Sequence, residues 1–260
     1  MERYLIPGVV HACQLIRLLA RHDKGLSSQQ IETALGLPRT TVFRLLRTLV
    51  AEQMLEKREK KYYCGSDIMN IGLQVINSDR MHQIAIPHVQ RLALRTGHTA
   101  HLAIPHQGSA LIIEVFDSPH PLKVAGRPGM RAKMHCSSTG KVFLAFLYYD
   151  NLELMFEHQP MEKFTDKTLT DVSSLRKELQ RVMALGYAVD DQEYQPDVRC
   201  LAAPVRDNRG VVVAAIGITA PVTAFPREQI ALMATQVKEA ACAIYKDTYQ
   251  FEAMQKVKTG

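Results

Sequence analysis

Residues 27–53 read SSQQIETALGLPRTTVFRLLRTLVAEQ, and their pattern decides the fold of the first part of the chain. Ser27 followed by Gln30 has the spacing of a capping box, so a helix is expected to begin there. Ile31, Ala34 and Leu35 put an apolar stripe on one face of it. Gly36 suits the left-handed residue that ends a helix, and Pro38 suits the first turn of the next, where its missing N–H costs nothing. In that second helix Val42, Leu45, Leu46 and Leu49 follow i, i+3, i+4, i+7 spacing and are expected inward, leaving Arg39, Thr40, Phe43, Arg44 and Arg47 outward. Two short helices joined by a tight turn, the second with an arginine row, predict a helix-turn-helix that reads the DNA major groove. Arg binds guanine through paired hydrogen bonds, and Thr touches a thymine methyl or a phosphate. Arg44 and Arg47, with Thr40 and Thr41 near the helix start, are therefore expected at bases, and Arg39 at phosphate. For this helix alone, a solvated basic face is the plainer alternative.

The next stretch, LEKREKKYYCG over 55–65, favours a β-hairpin wing with Glu59-Lys60 at the turn and Tyr62-Tyr63 on the return strand. Lys57, Arg58, Lys60 and Lys61 would then lie along a DNA backbone; an ordinary charged loop is the alternative. Charge weighs toward DNA. Residues 1–65 hold 11 Lys+Arg and 6 Asp+Glu, a net of +5 out of +6 for the whole chain. A basic head on a near-neutral body is the electrostatic footprint of nucleic-acid binding.

Composition narrows the class. No apolar run approaches the roughly 20 residues of a membrane span. The opening MERYLIPGVVHACQLIRLLARH is interrupted by charge and reads as a first helix, with Val9, Cys13, Ile16 and Leu19 inward, not as a signal peptide. Five scattered cysteines, an odd number, fit reduced thiols in a cytoplasm. There is no CxxC or HExxH, and His98 and His101 would point to opposite faces of a strand, so neither a metal nor a cofactor is expected.

Beyond the wing, 68–77 and 81–95 read as helices, the second closed by Thr96-Gly97. HTAHLAIPH (98–106) and SALIIEVF (109–116) read as a hairpin around Gln107-Gly108. A third short strand is expected to include Leu122 and Val124. Helices follow after Ser137–Gly140 and near 151–158 and 171–185. Three more strands are expected in YAVDD, CLAAPVRD and VVVAAIGITA, with Asn208–Gly210 turning between the last two. A final helix from Pro226 to about Tyr249 carries Ile230, Met233, Val237, Ala240 and Ile244 on one face. Strands at both ends with helices between predict an α+β domain built on an antiparallel sheet.

A helix starting at Ser137–Gly140 presents free N–H groups and a positive dipole end to an anion, and Ser137, Ser138 and Thr139 add hydroxyls; plain helix capping is the alternative. Asp190 beside Asp191 is either a hydrogen-bond acceptor for a ligand hydroxyl or half of a solvated turn pair. Cys200 heads an apolar strand, where a packed small hydrophobe is the commoner role. Lys141 is expected to face solvent or an acid. HCSSTGKV looks like a P-loop, but His135 holds the first glycine position and Val142 the Ser/Thr position. There is no Gly-x-Ser-x-Gly elbow, and nothing in the spacing demands a thiol nucleophile at Cys136 or Cys200 with His135.

Taken together, GLPRTTVFRLLRTL, Tyr63–Gly65, Ile71-Gly72, His135-x-x-x-x-Gly140-Lys141 with LAF following, GYAVDDQE, RCLAAPVRD and AAIGITAP resemble the IclR family of bacterial transcriptional regulators along nearly the whole chain. The resemblance implies a winged helix-turn-helix over 1–65, a linker helix over 66–80 and a GAF-like, antiparallel-sheet effector domain over 81–260, assembled as a homodimer or homotetramer without catalysis. It implies an effector pocket lined by Ser138, Thr139, Asp190, Cys200, Gly217 and Thr219, with Gly140 at its helix end. Gly217 and Thr219 stand where serines are frequent in the family. An anion-binding helix end plus an acceptor carboxylate suggests a hydroxy- or keto-carboxylic acid as effector, and a near-palindromic operator as the DNA partner. Two rival classes remain: a sequence-indifferent architectural DNA binder, and a small-molecule enzyme with an accessory basic head.

Overall fold

Local chemistry at Ser27 and Gly36 sets the first unit. In the computed structural model, which describes residues 4–121, 123–124 and 126–259 (backbone alone at 158 and 252–259), Ser27 Oγ accepts from the Gln30 N–H at 3.3 Å, and the Ser27 N–H donates to Gln30 Oε1 at 2.9 Å. This reciprocal capping box opens α2 (Ser28–Leu35), which Gly36 closes at φ +63°. Helix α3 (Arg39–Ala51) follows, with Pro38 as its N-cap, one residue earlier than expected. Ahead of them, α1 (Pro7–Leu19) buries Leu15 and Leu19. The inward face expected for α1 is corrected here: Val9 and Cys13 are exposed. The helix is apolar on more than one side, so periodicity could not select the face.

The wing is present as β2 (Leu55–Arg58) and β3 (Lys61–Cys64), antiparallel with Arg58 opposite Lys61. The turn between them carries Glu59 at φ +52°. A two-residue strand, β1 (Leu26–Ser27), adds to the far side of β3, giving the order β1-β3-β2. The small core gathers Leu15, Leu19, Leu26, Ile31, Val42, Leu46, Leu49 and Leu55. Helix α4 (Ser66–Ser78) completes the unit Met1–Asp79 and contributes no fully buried residue.

The second unit, Arg80–Gly260, is built on six antiparallel strands in the order β6-β5-β4-β9-β8-β7. These are β4 (Thr99–His106), β5 (Ser109–Phe116), β6 (Arg131–Lys133), β7 (Ala188–Asp191), β8 (Val198–Arg206) and β9 (Val212–Pro221). A third strand including Val124 is not found. Leu122 lies outside the described residues, Val124 belongs to no strand, and the polar triplet Arg131-Ala132-Lys133 pairs with β5 instead. Helices α5 (Arg80–Thr96) and α9 (Ile230–Thr259) cover one face over a core including Val89, Leu92, Leu102, Ile216, Val237 and Ile244. Helices α6 (Ser138–Leu147), α7 (Leu152–His158) and α8 (Val172–Leu185) cover the other over Val142, Phe143, Leu175 and Leu179. Among the described residues no helix is long and apolar enough to cross a membrane.

Candidate nucleic-acid interface and effector pocket

Packing of α3 through Val42, Leu46 and Leu49 turns its other face out. Arg39, Thr40, Phe43, Arg44 and Arg47 are exposed, Phe43 at 59%, and Thr41 is half-buried. A phenylalanine that exposed on so small a unit has a large apolar ring with no core to enter, between two arginines that have no ion pair among the described residues. The wing cations differ in how they are held. Arg58 forms an exposed ion pair with Glu56 at 2.9 Å and lies over the Tyr63 ring, Lys61 donates to the Lys24 carbonyl at 3.1 Å, and Lys57 lies over the Tyr62 ring. Lys60 sits exposed at the tip beside Glu59. Neutralising Lys60 is therefore expected to weaken every DNA sequence alike and to flatten the slope of log affinity against log salt by about one. Anisotropy titrations of Lys60→Ala over a salt series check this.

In the second unit a cavity of about 130 Å³ lies between the sheet and the start of α6, lined among others by Thr99, His101, Ser138, Thr139, Asp190, Cys200 and Thr219. Ser137 is the N-cap of α6, its Oγ accepting from the Gly140 N–H at 3.1 Å. Capping thus uses one first-turn donor, and helix geometry leaves the N–H groups of Ser138 and Thr139 without helical partners. Ser137 thus takes the capping role, and Ser138 and Thr139 line the cavity. Gly140 is not in the lining: a Cβ there would meet the Met134 backbone at 2.5 Å, so its role is close packing. Gly217 is likewise outside the lining. It pairs with His101 across β4 and β9, and a Cβ would stand 2.9 Å from His101 Nε2 and 2.6 Å from the Leu201 carbonyl. Its missing side chain makes room for the imidazole.

His101, like Thr99, Tyr194 and Gln195, lines the cavity and was not expected there from the sequence. Its burial holds its pKa down at about 4, so it is a neutral imidazole at pH 7. Thr219 Oγ1 lies 3.5 Å from its Nδ1 and donates to Cys200 Sγ at 3.3 Å. Asp190 is 2% exposed, directly opposite Cys200 in the β7–β8 register, and its Oδ1 accepts from the N–H groups of Glu193 (2.8 Å) and Tyr194 (3.3 Å). It is not half of a solvated pair; Asp191 alone takes the outward role, with Arg199 at 2.7 Å and Arg227 as partners. Burial, with the neighbouring Glu193 charge, raises the Asp190 pKa to about 7. Burial also pushes the Cys136 thiol up to about 12 and the Cys200 thiol well above its usual range, so neither is a thiolate nucleophile at neutral pH.

The raised Asp190 pKa makes stability depend on pH. The folded state holds this proton more tightly than the unfolded chain, so the contribution is complete below the unfolded value near 4 and is lost as pH rises through about 7. Glu193, also raised by burial, acts in the same direction. Asp190→Asn is expected to remove the larger part of the fall in stability between about pH 4 and 7, on the order of a few kcal/mol, in urea melts followed by circular dichroism. An unchanged slope in the variant would contradict the assignment.

Lys141, on α6 immediately after Gly140, is fully buried, not solvent-facing. Its Nζ meets Glu193 Oε1 at 2.6 Å and Glu178 Oε1 at 3.1 Å. Burial works against this charge, but the two carboxylates outweigh it and hold the pKa above the ordinary lysine value.

Comparison with known proteins agrees with both halves. Residues 8–59 match the IclR helix-turn-helix domain, and residues 73–246 match the bacterial transcriptional regulator IclR C-terminal domain. The HTH-type transcriptional regulator BhcR of Paracoccus denitrificans is 31% identical over 238 residues, covering 91% of this chain and 85% of that protein. The HTH-type transcriptional repressor AllR of Escherichia coli K12 is 28% identical, over 87% of this chain and 84% of its own length. Both are named as regulators of transcription, not as enzymes. Among solved structures, an IclR transcriptional regulator from Alicyclobacillus acidocaldarius superposes with a TM-score of 0.84 at 22% identity, over 94% of this chain and all of that one. An IclR homolog from Microbacterium hydrocarbonoxydans, complexed with 4-hydroxybenzoate, gives 0.83 at 22% identity, over 94% and 99%. With a recognition helix exposed at one end of the sequence, a cavity in the sheet domain that holds a few polar groups in a mainly apolar lining, and family matches over both, the chain belongs to the IclR family of bacterial transcriptional regulators.

Proposed function

We propose that this regulator controls a catabolic operon in response to a small hydroxy- or keto-carboxylic acid held in the His101–Asp190–Thr219 cavity, and that it works in the cytoplasm as a homodimer or homotetramer. The observation that carries the ligand class is the pairing of an α6 N-terminus with a carboxyl group that keeps its proton near neutrality. The first-turn N–H groups and the Ser138 and Thr139 hydroxyls suit a carboxylate; protonated Asp190 and neutral His101 suit a hydroxyl or keto oxygen. The 4-hydroxybenzoate bound to the Microbacterium hydrocarbonoxydans homolog is itself a hydroxylated carboxylic acid, which supports the class.

On DNA, two subunits place their α3 helices in successive major grooves of a near-palindromic operator, about 34 Å apart. Arg44, Arg47, Thr40 and Thr41 face bases with Phe43 among them, while Arg39, Lys57, Arg58, Lys60 and Lys61 follow phosphates. Effector binding alters DNA affinity only to the extent that it prefers one subunit arrangement over another. Melting temperature recorded against hydroxy-, keto- and sugar acids, with 4-hydroxybenzoate included, tests the ligand class. At least one acid is expected to raise it, and to do so less as pH passes about 7, where Asp190 becomes an anion. Flat curves throughout would sink the proposal.

A further inference from the structure

Between Leu26 and Cys64, a span that holds α2, α3 and the wing, Phe43 is the one exposed large apolar residue among the described residues. A lone exposed apolar group is commonplace on protein surfaces, so its position carries the argument. Thr40, Phe43, Arg44 and Arg47 are spaced i, i+3, i+4 and i+7 on α3, and all four are exposed. Residues so spaced form one stripe along a helix. Phe43 stands in the middle of this one, a turn after Thr40 and a turn before Arg47.

The ring is also unoccupied. It belongs neither to the core of the first unit nor to the half-buried residues packed against that core. The wing tyrosines differ: both are half-buried, and each carries a cation over its face, Lys57 on Tyr62 and Arg58 on Tyr63. Among the described residues no cation lies over Phe43 and no other ring packs on it. In the major groove each base pair shows a pattern of hydrogen-bond donors and acceptors, to which thymine adds one apolar group, its C5-methyl. A phenyl ring has neither donor nor acceptor, so the methyl is the part of this code that it can read. Arg44 and Arg47 on the same stripe suit guanine.

We propose that Phe43 is a specificity determinant that reads thymine: its ring packs on the C5-methyl of one thymine in each half-site of the operator, while the arginines beside it read guanines. This rests on α3 being the base-contacting helix, as argued above. Contact with the ring takes the methyl out of water, a gain of about fourfold in affinity per methyl. A cytosine at the same place presents an amino group, which the ring would leave without a partner.

Selection of duplexes from a random-sequence pool, carried out with the full chain and with Phe43→Ala, tests the assignment. The parent is expected to select a thymine at one position of each half-site. The variant is expected to lose that preference and to keep those set by the arginines. Anisotropy then compares the selected duplex with a copy carrying deoxyuridine at that position, which lacks only the methyl. The parent is expected to bind the uracil copy about fourfold more weakly per half-site, and Phe43→Ala to bind both copies alike. Thr40→Ser removes the threonine methyl from the stripe, keeps the hydroxyl, and is expected to retain the full discrimination. The melting temperature of Phe43→Ala is expected to match that of the parent, because the ring supports no core. A parent that binds both copies alike, a Phe43→Ala protein that still discriminates, or a Thr40→Ser protein that no longer does would overturn the role of Phe43 and leave α3 standing as the reading helix. A parent that selects no sequence at all would overturn that reading together with this inference.

Discussion

Replacing Lys141 by alanine is expected to cost the second unit about 3–5 kcal/mol of stability, because it strands two carboxylates around an empty buried position. The lysine is fully enclosed, and both of its partners, Glu193 and Glu178, lie on other elements, so α6 is tied through it to α8 and to the segment after β7. For a unit of this size the loss corresponds to roughly 10 °C in melting temperature. The chain has no tryptophan, so circular dichroism during urea or thermal unfolding is the suitable probe. Loss of fit is separated from loss of charge by a second variant. Lys141→Met with Glu178→Met and Glu193→Met removes the charged triad as a unit, and replacing buried ionic groups by apolar groups of similar volume is often neutral. It is expected to recover most of the stability. A Lys141→Ala protein that melts with the parent would show that the ion pair is not formed in solution.

The second large effect belongs to the recognition helix. Arg44→Ala is expected to weaken operator binding by about 1–3 kcal/mol and to relax specificity at one base pair. Arg44 is exposed beside Phe43 on the face that packing of Val42 and Leu46 turns outward, so its loss leaves the fold of the first unit intact. Lys60→Ala differs in kind, reducing affinity for all sequences alike. Equal loss on operator and random DNA for Arg44→Ala would place that side chain at phosphate.

What the sequence disclosed and what it hid follow one physical rule. The capping box at Ser27 and Gln30, the Gly36 cap and the Glu59-Lys60 turn are local interactions, and each was legible because both partners lie within a few residues. The two-residue strand at Leu26–Ser27 exists only because Tyr62 and Lys61 lie beside it, and nothing in its own composition announces that. Arg131–Lys133 reads as polar loop for the same reason. Lys141 offered no signal either, since the carboxylates that permit its burial are 37 and 52 residues away. In the pocket, Ser138, Thr139, Asp190, Cys200 and Thr219 line the cavity, whereas Gly140 and Gly217 serve packing. His101 gives no sign of its burial within HTAHLAIPH, because the residue that makes room for it, Gly217, lies on β9. The available clue was Gly217 within an apolar strand, which marks a close approach by a neighbour.

The central claim is sequence-specific DNA binding, and fluorescence anisotropy tests it most directly. The full chain is titrated with the intergenic DNA upstream of its own gene and with a scrambled duplex, at two salt concentrations. Tighter binding to the native fragment that persists at the higher salt is the predicted result; equal, salt-sensitive binding to both duplexes would contradict the account and favour a sequence-indifferent architectural protein.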